Sequence, residues 1–243
     1  MSMHAERNAL GQMVGPALPS WTPARRPHRG VLEGVRVRLE PLERTRHAAQ
    51  LYDAFREDER GAMWTYLPVG PFSTLADCEA WIVQVADGAD PQFLAIIERA
   101  TGRALGVAAY LAIEPAHGSI EVGHIAFSPR LSRTAMATEA MVLMMARAFA
   151  SGFRRYEWKC NALNEPSIRA ALRLGFTPEG IFRQHRIVKG RSRDTAWFAV
   201  CDGEWPALQR AFQTWLAPGN FDADGKQIAR LSELVRAALA SAR

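Results

Sequence analysis

Long apolar runs are missing from this 243-residue chain. The most apolar helical stretch, residues 141–150, is interrupted by Arg147 and falls short of the roughly 18 continuous residues a membrane helix needs. No membrane partner is therefore expected. Cysteine is scarce: Cys78, Cys160 and Cys201 stand far apart with no CxxC, which argues against a disulfide framework and against a zinc cluster, so no metal is expected. An odd, scattered set suits a reducing compartment. The segment before Gly30 has no apolar stretch of the kind a secretory signal carries, and a cytoplasmic location is expected. Lysine is nearly absent, with Lys159, Lys189 and Lys226 the only three among 30 basic residues. Neither GxxxxGK[ST] nor GxGxxG occurs, which removes support for nucleoside triphosphates and dinucleotides. Helix-turn-helix, zinc and RNP-type patterns are also missing, so nucleic acid is not an expected partner.

What is present is an ordinary globular composition, 48% hydrophobic and 23% charged, with a formal net charge of +5. A mild basic excess is compatible with an anionic ligand. Residues 1–30 read as an N-terminal extension, punctuated by Pro16, Pro19, Pro23 and Pro27. From Val35 the pattern alternates through Val37 and Leu39, the period of a half-buried strand that Pro41 should end. His47, Ala48, Leu51, Tyr52 and Phe55 recur at helical spacing. An aromatic loop, residues 61–72, precedes a helix that Ser73 or Thr74 can cap. Three strands over residues 92–98, 104–113 and 119–127 are separated by close turn signals and predict an antiparallel meander. A helix over residues 134–151 follows, then a strand, a helix with Pro166 in its first turn, and two strands around Lys189-Gly190. Residues 205–216 form a further helix, and a stripe from Ile228 to Leu239 forms a terminal one. That stripe has two placements, docked on its own chain or pairing two chains as a homodimer. The expected fold class is α/β (α+β): a mixed, mostly antiparallel sheet of six to seven strands with helices on both faces. The expected division is an extension (1–30), a catalytic domain (31–202) and a C-terminal helical extension (203–243).

The stretch from Glu121 to Ala140 carries the chemistry. A strand ends at Phe127, a loop with Arg130 and Arg133 follows, and a helix begins near Ala135. Unpaired N–H groups in the first turn, with the positive end of the helix dipole, bind anions. The small residues Ala135 and Ala137 let a pyrophosphate approach the backbone. The methionines Met141, Met144 and Met145 are read as core. Arg183, Arg186, Lys189, Arg191 and Arg193 form a positive run on the last two strands, either a solvated hairpin face or a surface attracting an acidic acceptor or an anionic cofactor.

Four features together resemble the GNAT superfamily of acetyl-CoA-dependent N-acetyltransferases, in the branch of the ribosomal-protein N-terminal acetyltransferases. They are Glu121-Val122-Gly123-His124-Ile125 on the strand, and the loop-to-helix run ending Ala137-Thr138-Glu139-Ala140. Asn161, Asn164, Pro166-Ser167 and Leu174-Gly175-Phe176 make the third, and the Gly180 strand pair ending in Asp194 to Phe198 the fourth. The likeness covers residues 35–202. It departs in the loop, where Ser132 replaces the usual Gln or Arg and Ala135 the central Gly.

The resemblance implies acetyl-CoA as co-substrate. The strand at Ile125 and Phe127 would pair with the pantetheine arm, the loop from Arg133 through Thr134, Ala135, Met136 and Ala137 to Thr138 would hold the pyrophosphate, and Asn164 would bond the arm. It implies direct attack by an amine, either a protein N-terminus or a small amine. Glu121 is the implied base, through a water, with His124 as rival. Ser167 is the implied donor to the leaving thiolate. Trp64, Tyr66 and Phe72 would wall the acceptor side. The alternative is a non-catalytic acyl-CoA-binding regulatory protein with a degenerate phosphate loop.

Overall fold

A computed structural model describes residues 5–241. Residues 1–4 of the expected extension lie outside it. The extension holds a two-residue ladder, β1 (Glu6–Arg7) with β2 (Met13–Val14). Trp21 then docks on the body: its Nε1–H donates to the Ala116 carbonyl at 3.1 Å, and the Arg154 guanidinium lies 5.7 Å over its ring.

The main sheet has eight strands in the order β3-β4-β5-β6-β7-β8-β10-β9. β3 (Leu32–Glu33) is a two-residue edge added to the seven that the sequence predicts. The others are β4 (Val37–Pro41), β5 (Gln92–Glu98), β6 (Ala104–Glu114), β7 (Ser119–Phe127), β8 (Arg155–Asn161), β9 (Thr177–Val188) and β10 (Arg191–Cys201). Every pairing is antiparallel except β7 with β8. β4 starts later than expected, since Val35 is 77% exposed and precedes it, and it ends at Pro41 as expected. Proline lacks an N–H, and β3 pairs no further than Leu39, so at Pro41 that side of the strand has no partner to lose.

One face of the sheet packs on α1 (Arg44–Phe55) and α2 (Leu75–Val85), around Leu51, Phe55, Trp64, Ile82 and Phe93. The other packs on α3 (Ala135–Ala150) and α5 (Trp205–Leu216), around Met141, Met144, Met145, Tyr156 and Phe212. α4 (Glu165–Arg173) follows β8, and α6 (Leu231–Ser241) docks in cis on α5 and α4 through Leu231 and Val235. Ile228 does not join that stripe, being 68% exposed. The helix starts obey local chemistry. Thr74 and Asp77 form a reciprocal capping box on α2, Thr134 accepts from the Ala137 N–H on α3, and Asn164 accepts from the Ser167 N–H on α4. Gly175, at φ 86°, ends α4 in the left-handed conformation that glycine adopts without strain.

α3 is pinned to the sheet edge by one carboxylate. Glu139, 4% exposed, accepts from the backbone N–H groups of Val35, Arg36 and Val37 at 3.0, 2.7 and 2.9 Å. Gly34 makes room, since a Cβ there would sit 2.9 Å from that carboxyl carbon and 2.8 Å from the Val37 oxygen. Removing the acceptor strands three N–H groups, each costing ~1–3 kcal/mol if left unpaired. Glu139→Ala should therefore lower unfolding free energy by about 3 kcal/mol or more in urea titrations. Glu139→Gln, which keeps one carbonyl acceptor, should lose less.

Candidate functional site

The site begins where two strands part. β7 and β8 are paired in parallel from Ser119↔Arg155 to Val122↔Trp158 and no further. β7 continues to Phe127 and β8 to Asn161, so the inner edges beyond Val122 and Trp158 carry unpaired peptide groups facing a gap. The divergence coincides with a β-bulge. β6 residues Val107 and Ala109 face Ala126 and Gly123 of β7, which places one extra residue in β7. His124 absorbs it at φ 50°, an unusual conformation for a residue with a Cβ. The bulge switches side-chain parity. Ile120 and Val122 belong to the α3 face, and beyond the bulge Ile125 and Phe127 return to that face while Ala126 joins the α1/α2 face. The predicted residues Ile125 and Phe127 thus lie along the gap.

At the end of β7 the chain turns through Ser128 to Thr134 into α3. Arg133 takes φ 63°, so the left-handed residue of the loop is Arg133, and Ala135 begins the helix with ordinary helical geometry. Thr134 occupies the Ala137 N–H, which leaves those of Ala135 and Met136 in the first turn without a protein partner among the described residues. Below them lies a cavity of about 980 Å³, lined by the loop residues Ser132, Arg133, Thr134 and Ala135, by Ala137, Thr138 and Met141 of α3, and by Pro166, Arg169, Ala170 and Arg173 of α4. Arg36, Trp215, Phe221 and Gln227 close its far side.

These last residues and Arg173 are ones that sequence reasoning missed. Arg173 donates to the Thr138 hydroxyl at 3.0 Å and lies 4.9 Å over the Trp215 ring. No carboxylate among the described residues pairs with it, and burial lowers the stability of its charged form. Arg36 sits 5.1 Å over the Phe221 ring, with Glu139 at 3.9 Å. An uncompensated, partly buried cation is costly in water's absence and is relieved by an anion. The cavity lining thus carries cationic groups that an anionic molecule would relieve. Only the basic excess hinted at it, because Trp215 and Phe221 reach the cavity by tertiary packing.

On the α1/α2 face, beside the gap, Glu121 and Glu157 share Lys159 at 2.8 and 2.7 Å. Their surroundings push them apart. Burial raises the Glu121 carboxyl above its usual value despite Lys159. Glu157 is also buried in part, but Lys159 and Arg155 together hold it below the usual value. The His124 ring lies 5.1 Å from that of Phe93 at a tilt of 45°, and burial lowers its pKa. On the other side of the gap, Asn164 uses its carbonyl oxygen as the α4 cap, and its amide nitrogen has no protein partner among the described residues. Ser167 accepts from the Trp158 Nε1–H at 3.0 Å rather than bonding backbone. Its own O–H is a donor, with the Cys160 sulfur as an acceptor within reach.

Of the aromatic loop residues, Trp64 is 2% exposed and lies within the core between Phe55 and Phe72, so its ring is not a wall. Phe72 is half-buried between Trp64 and Trp81. Tyr66 reaches across to donate to the Leu163 carbonyl at 3.0 Å. Lys189, at the β9–β10 tip, donates to the carbonyls of Trp64, Val69 and Gly70 at 2.9, 3.3 and 2.9 Å. The loop is thus tied to both the turn before α4 and the hairpin. Charge-assisted bonds contribute ~1.5–3 kcal/mol. Lys189→Ala should speed amide hydrogen exchange of residues 61–72 by about tenfold or more, while the sheet core is unchanged.

Residues 36–177 match the family model described as an acetyltransferase (GNAT) domain. A GCN5-related N-acetyltransferase from Brucella melitensis has a similar structure, with 47% identity and a TM-score of 0.88 over 90% of this chain and 100% of that one. A probable acetyltransferase of the GNAT family from Chromobacterium violaceum follows at 39% identity and a TM-score of 0.74, covering 79% of this chain and 96% of that one. A curated relative, the uncharacterized N-acetyltransferase p20 of Bacillus licheniformis, is 26% identical over 58% of this chain and 80% of its own length.

Proposed function

Because the chain belongs to the GNAT acetyltransferase family, we infer that it moves the acetyl group of acetyl-CoA to a primary amine by direct attack. The observation that carries this reading is the gap between β7 and β8 opening onto the arginine-lined cavity. The pantetheine amides fit the unpaired edge at Ile125 and Phe127, with the Asn164 amide as a further donor. The pyrophosphate fits the first turn of α3, at the N–H groups of Ala135 and Met136, with Arg133 beside it. Arg169, Arg173 and Arg36 then line the course of the nucleotide end.

In the reaction, the amine nitrogen attacks the thioester carbon and forms a tetrahedral oxyanion. N–H groups of the bulged β7 edge are placed to stabilise it. The C–S bond breaks, and the sulfur leaves as thiolate. The amine proton passes to Glu121 through a water, while the Ser167 O–H donates to the thiolate. Environments that push two nearby carboxylates apart support distinct roles for them. Glu157 stays ionised and holds Lys159, and Glu121 is the one tuned toward proton uptake.

Calorimetry with acetyl-CoA tests the reading. Arg133→Glu and Arg173→Ala should each weaken binding about tenfold or more, since charge-assisted phosphate contacts exceed ~1.4 kcal/mol. Absence of binding by the unaltered protein would overturn the assignment. Binding without turnover on any amine would leave a cofactor-binding protein in place of an enzyme.

The pH dependence follows from the sign of the Glu121 shift. The carboxylate must be ionised to accept a proton, so kcat/KM should fall as pH drops, through a limb lying above the carboxyl's ordinary 4.5. Glu121→Gln should lower kcat by about 10²–10³ near neutral pH. Its remaining rate should climb with pH up to the acceptor amine's own pKa.

A further inference from the structure

Among the described residues, seven buried side-chain polar atoms have no hydrogen-bond partner. Four of them lie together on the last two strands: Arg193 Nε, Thr195 Oγ1, Trp197 Nε1 and His185 Nδ1. The first three alternate along β10 and so share one face. That face also carries Lys159, whose ammonium is 4.1 Å from the Trp197 ring centroid and which pairs with Glu121. His185 reaches the same place from β9, where the register slips between Arg193↔Arg186 and Thr195↔Phe182 and Gln184 adopts φ 51°. The Phe182 ring lies 4.6 Å from Trp197, and His185 packs at 5.5 Å from Phe182.

Arg193 is the outlier. Among the described residues it makes no ion pair and no side-chain hydrogen bond, although it is half-buried. The adjacent carboxylate, Asp194, is taken by the Gln184 N–H at 2.7 Å. Thr195 lies level with Asn161, at the end of β8 where the gap is open. A guanidinium with no ion pair, whose charge is felt at Glu121 without a direct contact, three unmet polar atoms and a pair of aromatic rings therefore flank the position where the amine approaches on this reading. The loop at residues 61–72 is tied at Leu163 beyond β8 and at Lys189 on the same hairpin, and these fixed anchors favour a small acceptor.

Resting on the acetyl-transfer reading, we propose that the acceptor is a small amine carrying an anionic group, carboxylate or phosphate, held by Arg193 with Thr195, Trp197 and His185 as its neutral partners. Arg193 then selects the acceptor and takes no part in binding acetyl-CoA. The positive run on this hairpin thus divides by use: Lys189 ties the loop, and Arg193 reads the substrate.

The experiment uses the full chain and paired amines with and without an anionic group: amino acids against their amides, and phosphoethanolamine against ethanolamine. The unaltered protein should acetylate the anionic member of at least one pair with the higher kcat/KM, and the pair that responds identifies carboxylate or phosphate. Arg193→Gln should raise KM for that anionic amine about tenfold or more, and leave KM for its neutral counterpart and the acetyl-CoA affinity within about twofold. Arg193→Lys should recover part of the loss. Equal use of both members, or a change in acetyl-CoA affinity of the same size, would overturn the proposal. So would acetyl-CoA binding with no transfer to any anionic amine, or transfer only to peptide N-termini. Those outcomes leave the cofactor reading standing, whereas failure of the unaltered protein to bind acetyl-CoA removes both. Melting temperatures of the two variants separate loss of recognition from loss of fold.

Discussion

Parallel pairing between β7 and β8 lasts for four residue pairs, and the organisation of the site follows from its ending there. A sheet this broad normally satisfies its peptide groups strand by strand. Here the bulge at His124 bends β7 away, and the edge it exposes is inside the molecule, not at its rim. Antiparallel neighbours on either side, β6 and β10, hold the two strands apart, so the opening is rigid before any ligand arrives. The same bend aims the end of β7 at the start of α3. The gap and the helix end, to which the proposed function assigns the amides and the phosphates, therefore come as one geometric unit.

Charge is distributed to match. On the α3 side of the sheet, arginines crowd a cavity with two carboxylates within reach: Glu139, already committed to backbone N–H groups, and the exposed Glu165, paired with Arg169 at 2.9 Å. On the α1/α2 side, Lys159 sits between two carboxylates that outnumber it. The protein thus separates a strongly cationic compartment from a nearly balanced one across the thickness of a single sheet. The proposed function places proton uptake in the balanced compartment, at Glu121, whose carboxyl burial raises.

Local chemistry was readable from the residues. Thr74 announces one helix start, Pro166 and Gly175 bracket α4, and the closely spaced turns announce the meander. The helix start after Arg133 was legible for the same reason, since it depends on local spacing. Features set by distant packing were not. Nothing marks His124 as a residue with positive φ. Trp64 is indistinguishable in sequence from Tyr66, yet one is core and the other reaches across to Leu163. Trp215 and Phe221 lie beyond the family-matched residues and reach the cavity only because α5 folds back over α3. Val35 and Ile228 fit an alternating or helical pattern on paper but fall just outside the elements that would bury them.

The join between α3 and the sheet edge has a consequence for how this chain can drift. Glu139 grips main-chain N–H groups, which nineteen of the twenty amino acids supply in the same form. Residues 35–37 can therefore exchange side chains without any answering change at position 139. A contact of this kind leaves no trace in pairwise covariation, however much stability it holds. Its signature across related sequences would be an acid at one end and, at the other, nothing more than the avoidance of proline and a small residue at position 34.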